Sequence, residues 1–182
     1  MAKNATVVIT EATLDDVEAI SEVQKETWLA TYPNEQARIT RDDILSEDFF
    51  SKERLESRRK TISDPKSNSK FWVAKHEGKV IGYCCIQKLP DYNKIRSIYI
   101  LPAFQGQGIG DRLMQKMFEF IDPTKPTKLS VAIYNTKAIS FYEKHGFVKG
   151  IRHQKNPEGH FVSGREIPEM EMVKNGVGQN SL

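Results

Sequence analysis

The spacing of apolar and polar residues changes repeatedly along the chain, and each change marks a new kind of element. Thr6-Val7-Val8-Ile9-Thr10 is rich in β-branched residues and reads as a short strand. Leu14, Val17, Ile20, Val23 (or Gln24) and Trp28 then recur at helical spacing behind Thr13, a capping residue followed by acidic residues. Pro33 ends that helix. Residues 39 to 63 read as helical again, with Thr40 or Ser51 as caps and Ile44, Leu45, Phe49, Phe50 and Leu55 as apolar positions. Past the polar connector Asp64–Ser69 the pattern becomes extended. Lys70–Lys75 and Lys79–Gln87 predict a hairpin turning at Glu77-Gly78, and Lys94–Leu101 predicts a further strand.

The second half alternates in the same way. Ile109, Leu113, Met114, Met117, Phe118 and Ile121 form the buried stripe of a helix. Lys128–Tyr134 reads as a buried strand and Asn135 as the cap of the next helix. Gly146 is its left-handed stop. Phe147–Gln154 and Phe161–Val173 predict a final hairpin around Asn156-Pro157-Glu158-Gly159. The expected fold is α/β with a mixed sheet, in one domain over residues 1–174, followed by a polar tail over 175–182.

Composition narrows the function classes. A 38% hydrophobic and 28% charged chain of 182 residues suits a folded domain with a proper core. A net charge of +3 is too mild for a nucleic-acid binder, and Arg58-Arg59-Lys60 sits among acidic neighbours, as on a solvated helix face. No stretch approaches the roughly 20 apolar residues of a membrane span, and the N-terminal residues lack a signal-peptide core. Cys84 and Cys85 are adjacent, so in a strand they point to opposite faces, which is poor geometry for a bridge. Without histidines at ligand spacing they predict no metal site. A reduced, cytoplasmic setting is expected.

The chemistry concentrates where the strand ending Ile98-Tyr99-Ile100-Leu101-Pro102 passes through Gln105-Gly106-Gln107-Gly108-Ile109-Gly110 into a helix. A helix start with nearby glycines offers unpaired N–H groups and the positive end of the helix dipole to a phosphate. A P-loop requires a lysine after the last glycine, and Asp111 stands there instead. A dinucleotide fingerprint requires a third glycine at that same position and a βαβ unit, whereas this strand follows an antiparallel hairpin. A turn serving only close helix–strand packing stays open on the turn alone.

Two signatures together resemble those of the GCN5-related N-acetyltransferase (GNAT) superfamily. One is Gln105-x-x-Gly108-x-Gly110 after the strand. The other is Asn135 followed by Ala138-Ile139-Ser140-Phe141-Tyr142 and Gly146-Phe147. The order of elements from Thr6 to Val173 agrees, and Thr27–Pro33 resembles the PaiA-like branch, which includes polyamine acetyltransferases. The resemblance implies a mostly antiparallel sheet flanked by helices, with a splayed central strand pair. It implies acetyl-CoA as co-substrate, held by Ile98, Tyr99 and Ile100 along the pantetheine and by Gln105, Gly106, Gln107, Gly108, Ile109, Gly110 and Asp111 around the pyrophosphate. Asn135 would also touch it.

The same resemblance makes Tyr142 the acid that protonates the departing thiolate, a role open to a phenol with its ordinary pKa of about 10. Trp28 and Tyr32 would line the acceptor site. The acceptor would be a small primary amine such as a polyamine, with Glu35, Asp42, Asp43, Glu47 and Asp48 as complementary charge. An acceptor on a protein or peptide stays open, as does an acyl-CoA-binding module without turnover. Relatives commonly place a carboxylate on the strand before the turn, where this chain has Lys94, Arg96 and Ser97. Asp91, Tyr92, Glu26 and Glu35 are the alternatives for a base, and none is singled out. No metal, nucleic acid or membrane is implied, and homodimers are common among relatives.

Overall fold

The computed structural model describes residues 6–152, 161 and 163–178. In chain order it contains β1 (Val8–Glu11), a 3-10 turn at Leu14–Asp16, α1 (Val17–Thr31), α2 (Arg41–Leu45) and α3 (Lys52–Ser63). β2 (Ser69–His76), β3 (Lys79–Lys88) and β4 (Asn93–Ile100) follow, then a 3-10 turn at Pro102–Phe104 and α4 (Ile109–Phe120). β5 (Thr127–Ala132), α5 (Thr136–Lys144), β6 (Val148–Arg152) and β7 (Glu169–Lys174) complete it. The strands form one mixed sheet in the order β1-β2-β3-β4-β5-β7-β6. Its β1–β2, β2–β3, β5–β7 and β6–β7 ladders are antiparallel, and β4–β5 is parallel. This is the mixed, mostly antiparallel architecture expected.

The described residues pack as two compact units, one drawn from 6–27, 49–88 and 95–121, the other from 28–48, 89–94 and the described residues of 122–178. In the first, Ile20 and Val23 of α1 bury against Val73 and Tyr83, with Ile62, Phe71, Val80, Tyr99 and Leu101 at the margin. Ile109, Leu113, Met114 and Met117 bury the stripe of α4, which packs on β2 and β3. Alternation along β3 divides the two packing surfaces: Tyr83 joins the α1 cluster, while the Cys84 Sγ lies 3.8 Å from the Leu113 carbonyl of α4. Both thiols are buried and unbridged, and burial pushes Cys85 up to about 12. At the β2–β3 turn Glu77 and Gly78 both adopt positive φ, as a two-residue hairpin turn requires.

In the second unit β7 lies between β5 and β6, and Leu129, Val131 and Met172 are buried. Asn135 caps α5 by accepting from the Ala138 N–H at 3.2 Å, and Gly146 ends that helix at φ 83°. The buried Asn93 donates through Nδ2 to the Asp122 carbonyl at 2.9 Å. The Val177 N–H donates to the Pro123 carbonyl at 2.7 Å.

Several expectations need correction. The helical stretch over 39–63 divides into α2 and α3, and both candidate caps are used: Thr40 accepts from Asp43 N–H and Ser51 from Arg54 N–H. Leu14 is 49% exposed, and the inward position at the end of the α1 stripe is Thr27, not the half-buried Trp28. Thr27 is tolerated there because its hydroxyl donates to the Val23 carbonyl of its own helix at 2.7 Å. Arg58 is not on a solvated face. It is only 9% exposed and its guanidinium donates to Ser21 Oγ and Gln24 Oε1, tying α3 to α1.

The last strand begins at Glu169 rather than Phe161. Before it the chain turns: the Phe161 N–H donates to the Arg165 carbonyl at 2.9 Å, and Arg165 Nη1 reaches the two Asp43 oxygens at 3.0 and 2.9 Å. The expected turn at 156–159 lies outside the described residues, as do His153, His160 and residues 179–182.

Candidate active site

The first unit holds the glycine turn. β4 ends against β3, where the Leu101 N–H donates to the Ile81 carbonyl at 2.9 Å. Gly82 of β3 faces Tyr99 and Ile100 so closely that a Cβ there would sit 2.9 Å from the Tyr99 carbonyl oxygen. Pro102–Phe104 then closes a 3-10 turn, and Gly106 and Gly108 each take φ 75°. A Cβ built on either would meet no atom within 4 Å, so the space in front of the loop is open.

Two side chains hold this loop in shape. Gln105 Nε2 donates to the Ile100 carbonyl at 2.9 Å, and Gln107 Nε2 donates to the Ala103 carbonyl at 3.2 Å. The first bond of α4 is Arg112 N–H to Gly108 carbonyl at 3.3 Å. The N–H groups of Ile109, Gly110 and Asp111 therefore stand ahead of any intrahelical acceptor. Left-handed residues followed by an open helix start form a concave row of donors suited to an anion. A pyrophosphate fits this loop: the donors belong to the backbone, and the glycines leave no side chain in its way.

The parallel ladder of β4 with β5 consists of Asn93↔Thr127 and Lys94↔Lys128. Ile98, Tyr99 and Ile100 take no part in it. Tyr99 and Ile100 meet Gly82 instead, a residue that sequence reasoning passed over because its effect depends on the register between neighbouring strands.

The second unit holds the remaining predicted site residues. Tyr142, on α5, is 7% exposed, with the rings of Phe141 and Phe147 at 5.5 and 5.8 Å. Trp28 and Tyr32 meet edge to face at 5.2 Å, and both are half-buried. The Tyr134 hydroxyl donates to the Tyr32 carbonyl at 2.9 Å. Burial, helped by the Glu169 carboxylate, pushes that phenol up to about 12, so it stays protonated across the neutral range. Tyr134 was read as the end of the strand that begins at Lys128, but β5 ends at Ala132 and Tyr134 lies in the turn after it.

Asp43 is committed elsewhere. Its carboxylate is held below the usual range by hydrogen bonds from Ser163 and Thr40 and by Arg165, so it is not available for the complementary charge expected of it. Asp91, Glu26 and Glu35 are exposed, and Tyr92 carries the Lys128 ammonium over its ring at 5.1 Å. His76 packs on Phe104 at 5.3 Å and His145 on Phe141 at 4.7 Å. Among the described residues no group of three His, Cys, Asp or Glu is placed to hold a metal, and no helix is long and apolar enough to cross a membrane.

Residues 67–149 match the family model described as an acetyltransferase (GNAT) domain. The PaiA N-acetyltransferase of Thermoplasma acidophilum, solved in complex with coenzyme A, superposes with a TM-score of 0.72 at 20% identity. That match covers 93% of this chain and 99% of that one. The ribosomal-protein-S18-alanine N-acetyltransferase of Escherichia coli gives 0.64 at 17% identity, over 97% and 99% of the two chains. The model match is confined to residues 67–149, and the likeness to the two solved structures is one of fold.

Among curated proteins, the amino-acid acetyltransferase of Mycobacterium tuberculosis is 30% identical over 83 residues, which is 43% of this chain and 46% of that protein. A putative ribosomal protein bS18-alanine N-acetyltransferase of Bacillus subtilis is 30% identical over 82 residues, 44% and 54% of the respective lengths. The chain thus spans about half the length of the curated relatives it matches.

Proposed function

We propose that this protein transfers the acetyl group of acetyl-CoA to a primary amine of a small molecule, with a polyamine such as spermidine as the leading acceptor. The carrying observation is the β4–loop–α4 element, where Gly106 and Gly108 leave a row of backbone donors facing open space. Acetyl-CoA, when bound, supplies an acyl group activated as a thioester.

The chain's own residues do the rest. Backbone amides from Gln105 to Gly110, with Asp111, hold the pyrophosphate. The main chain of Ile98, Tyr99 and Ile100 pairs with the pantetheine as an added strand would. One of those N–H groups polarises the thioester carbonyl, a contribution typically worth on the order of a hundredfold in rate. Asn135 offers its amide NH2 to the co-substrate, since its Oδ1 caps α5. The amine nitrogen forms a bond to the acyl carbon as the carbon–sulfur bond breaks. The amine loses its proton to solvent water, and Tyr142 gives one to the thiolate.

The Trp28–Tyr32 aromatic pair, the exposed Glu35 and Asp42, and the fold shared with a PaiA N-acetyltransferase support a cationic small acceptor. A second reading, acetylation of a protein α-amine, draws support from the two S18-alanine N-acetyltransferases among the relatives. We favour cytoplasmic action on the first substrate class. Thiol release from acetyl-CoA, followed over polyamines, amino acids and peptides, separates the readings. Turnover on polyamines is expected. Turnover confined to peptides overturns the first reading, and coenzyme A binding without turnover on any acceptor marks a binding module.

A further inference from the structure

Arg58 is a buried cation whose hydrogen-bond partners carry no charge. Its guanidinium donates to Ser21 Oγ and Gln24 Oε1 of α1, and the residue is only 9% exposed. It also hydrogen-bonds the Tyr83 hydroxyl of β3, whose oxygen accepts because a guanidinium can only donate. Packing agrees with this placement: Ile62, one turn further along α3, lies against the cluster that contains Tyr83 and Tyr99. The other charged or titratable groups around Arg58 are Arg54 on its own helix and Cys85 on β3. Beyond these, Tyr83 meets Ser97 and Tyr99 of β4, and Cys85 feels the charge of Arg96. Burial pushes the Tyr83 phenol and the Cys85 thiol up, so both stay neutral. The α1 carboxylate of Glu18 pairs with Arg59. Among the described residues none of the partners of Arg58 is a carboxylate.

A buried charge is normally offset by an opposite one, because taking it out of water is costly. A glutamate at position 24 would have the same shape and supply that charge, yet the chain has Gln24. The field left over reaches β4. The Tyr83 and Tyr99 rings are 5.7 Å apart, and β4 stays half-buried from Ser97 to Ile100 although it is the middle strand of seven. That stretch of β4 brings no carboxylate of its own, only Arg96 and Ser97.

We infer that the uncompensated charge of Arg58 takes the place of a general base, by favouring the neutral amine over its ammonium form where the acceptor meets β4. This rests on the proposed transferase reading, which sets the thioester carbonyl on the main chain of Ile98 to Ile100 and brings the amine to it. A positive charge about 10 Å from an ammonium, at the effective dielectric of a protein, lowers the ammonium pKa by about one unit. The proton given up goes to solvent water, and the guanidinium itself neither gains nor loses one.

The test counts the protons released when the amine binds. Spermidine is titrated calorimetrically into the complex with desulfo-coenzyme A, which has no thiol to titrate, near pH 9.5 in buffers of differing ionisation enthalpy. Gln24→Glu sets a carboxylate against the guanidinium while keeping the tie between α1 and α3, and Arg58→Met removes charge and tie together. The parent should release about half a proton more than either variant, as a one-unit shift at that pH implies. Circular dichroism melts should show Gln24→Glu melting no lower than the parent. At saturating spermidine the acidic limb of kcat should lie about one pH unit higher in both variants.

Equal proton release by the parent and Gln24→Glu overturns the inference, because Arg58 would then be a structural tie alone. Failure of spermidine to bind the parent overturns it too. Thiol release from acetyl-CoA by a parent whose proton count matches that of Gln24→Glu keeps the transferase reading and removes this inference. A proton count that depends on the Arg58 charge, with no thiol release by the parent, does the reverse.

Discussion

Gly82→Ala tests whether the shape of β4 depends on the strand beside it. The added Cβ would lie 2.9 Å from the Tyr99 carbonyl oxygen, 3.1 Å from Ile100 Cγ1 and 3.3 Å from Ile100 Cα. The Ile100 side chain can rotate, but the Tyr99 oxygen belongs to the backbone and cannot. Restoring an ordinary separation of about 3.4 Å pushes β4 outward at Tyr99 by about 0.5 Å, the difference from 2.9 Å. Overpacking of this kind typically costs about 1–3 kcal/mol, which for a chain of this size lowers Tm by roughly 3–10 °C.

The displaced residues are those proposed to pair with the pantetheine. Misplacing a reactive geometry by about 1 Å can cost on the order of a hundredfold, so half that displacement predicts about a tenfold loss in kcat/KM for acetyl-CoA. Differential scanning fluorimetry and thiol-release kinetics read the two effects. Gly78→Ala is the control. It strains a left-handed turn at φ 78° in open space, lowering stability by about 1 kcal/mol without touching β4. Gly82→Ala with unaltered Tm and acetyl-CoA kinetics would refute the steric argument.

Other perturbations address other parts of the site. Gly108→Glu combines a side chain at φ 75° with a negative charge in front of the donor row, and calorimetry should show acetyl-CoA binding weakened by tenfold or more. Tyr142→Phe should lower kcat by about a hundredfold while leaving acetyl-CoA affinity nearly intact; an unchanged kcat removes Tyr142 from the acid role. Asp43→Asn should lower Tm at pH 7, because Arg165 loses its carboxylate partner. The Asp43 pKa is depressed on folding, so its contribution is complete above the unfolded value near 3.9 and fades as pH falls below it. Parent and variant melts should accordingly converge in acid, and a gap that persists there would deny the ion pair its role.

Periodicity located the elements wherever apolar side chains alone decide burial, as in the Ile109–Met117 stripe of α4. It failed where a polar group is buried with its bonds satisfied. Thr27 donates to its own helix, and Arg58 reaches Ser21 and Gln24, partners more than thirty residues away in sequence. A hydrophobicity pattern treats both as surface. Residues 163–168 were read as part of a strand, yet Gly164 takes φ 75° and the chain turns to place Arg165 on Asp43, a contact that no local signal carries.

The site divides in the same way. The glycine spacing and the Asn135 cap were readable because they satisfy local backbone demands. Gly82 and Tyr134 were not, because each acts on residues brought near by strand register or by a long-range hydrogen bond.

The two glutamine side chains that brace the glycine loop also bear on its motion. With Gln105 bonded to the Ile100 carbonyl and Gln107 to the Ala103 carbonyl, the loop owes its shape to internal bonds. A ligand then meets a preorganised cradle and has little chain entropy to remove. Rigidity and protection from solvent are separate properties here. In deuterated water the amides at the start of α4 should exchange quickly despite their order, then slow sharply when a pyrophosphate accepts their hydrogens. That slowing would report occupancy of the loop without any need for turnover.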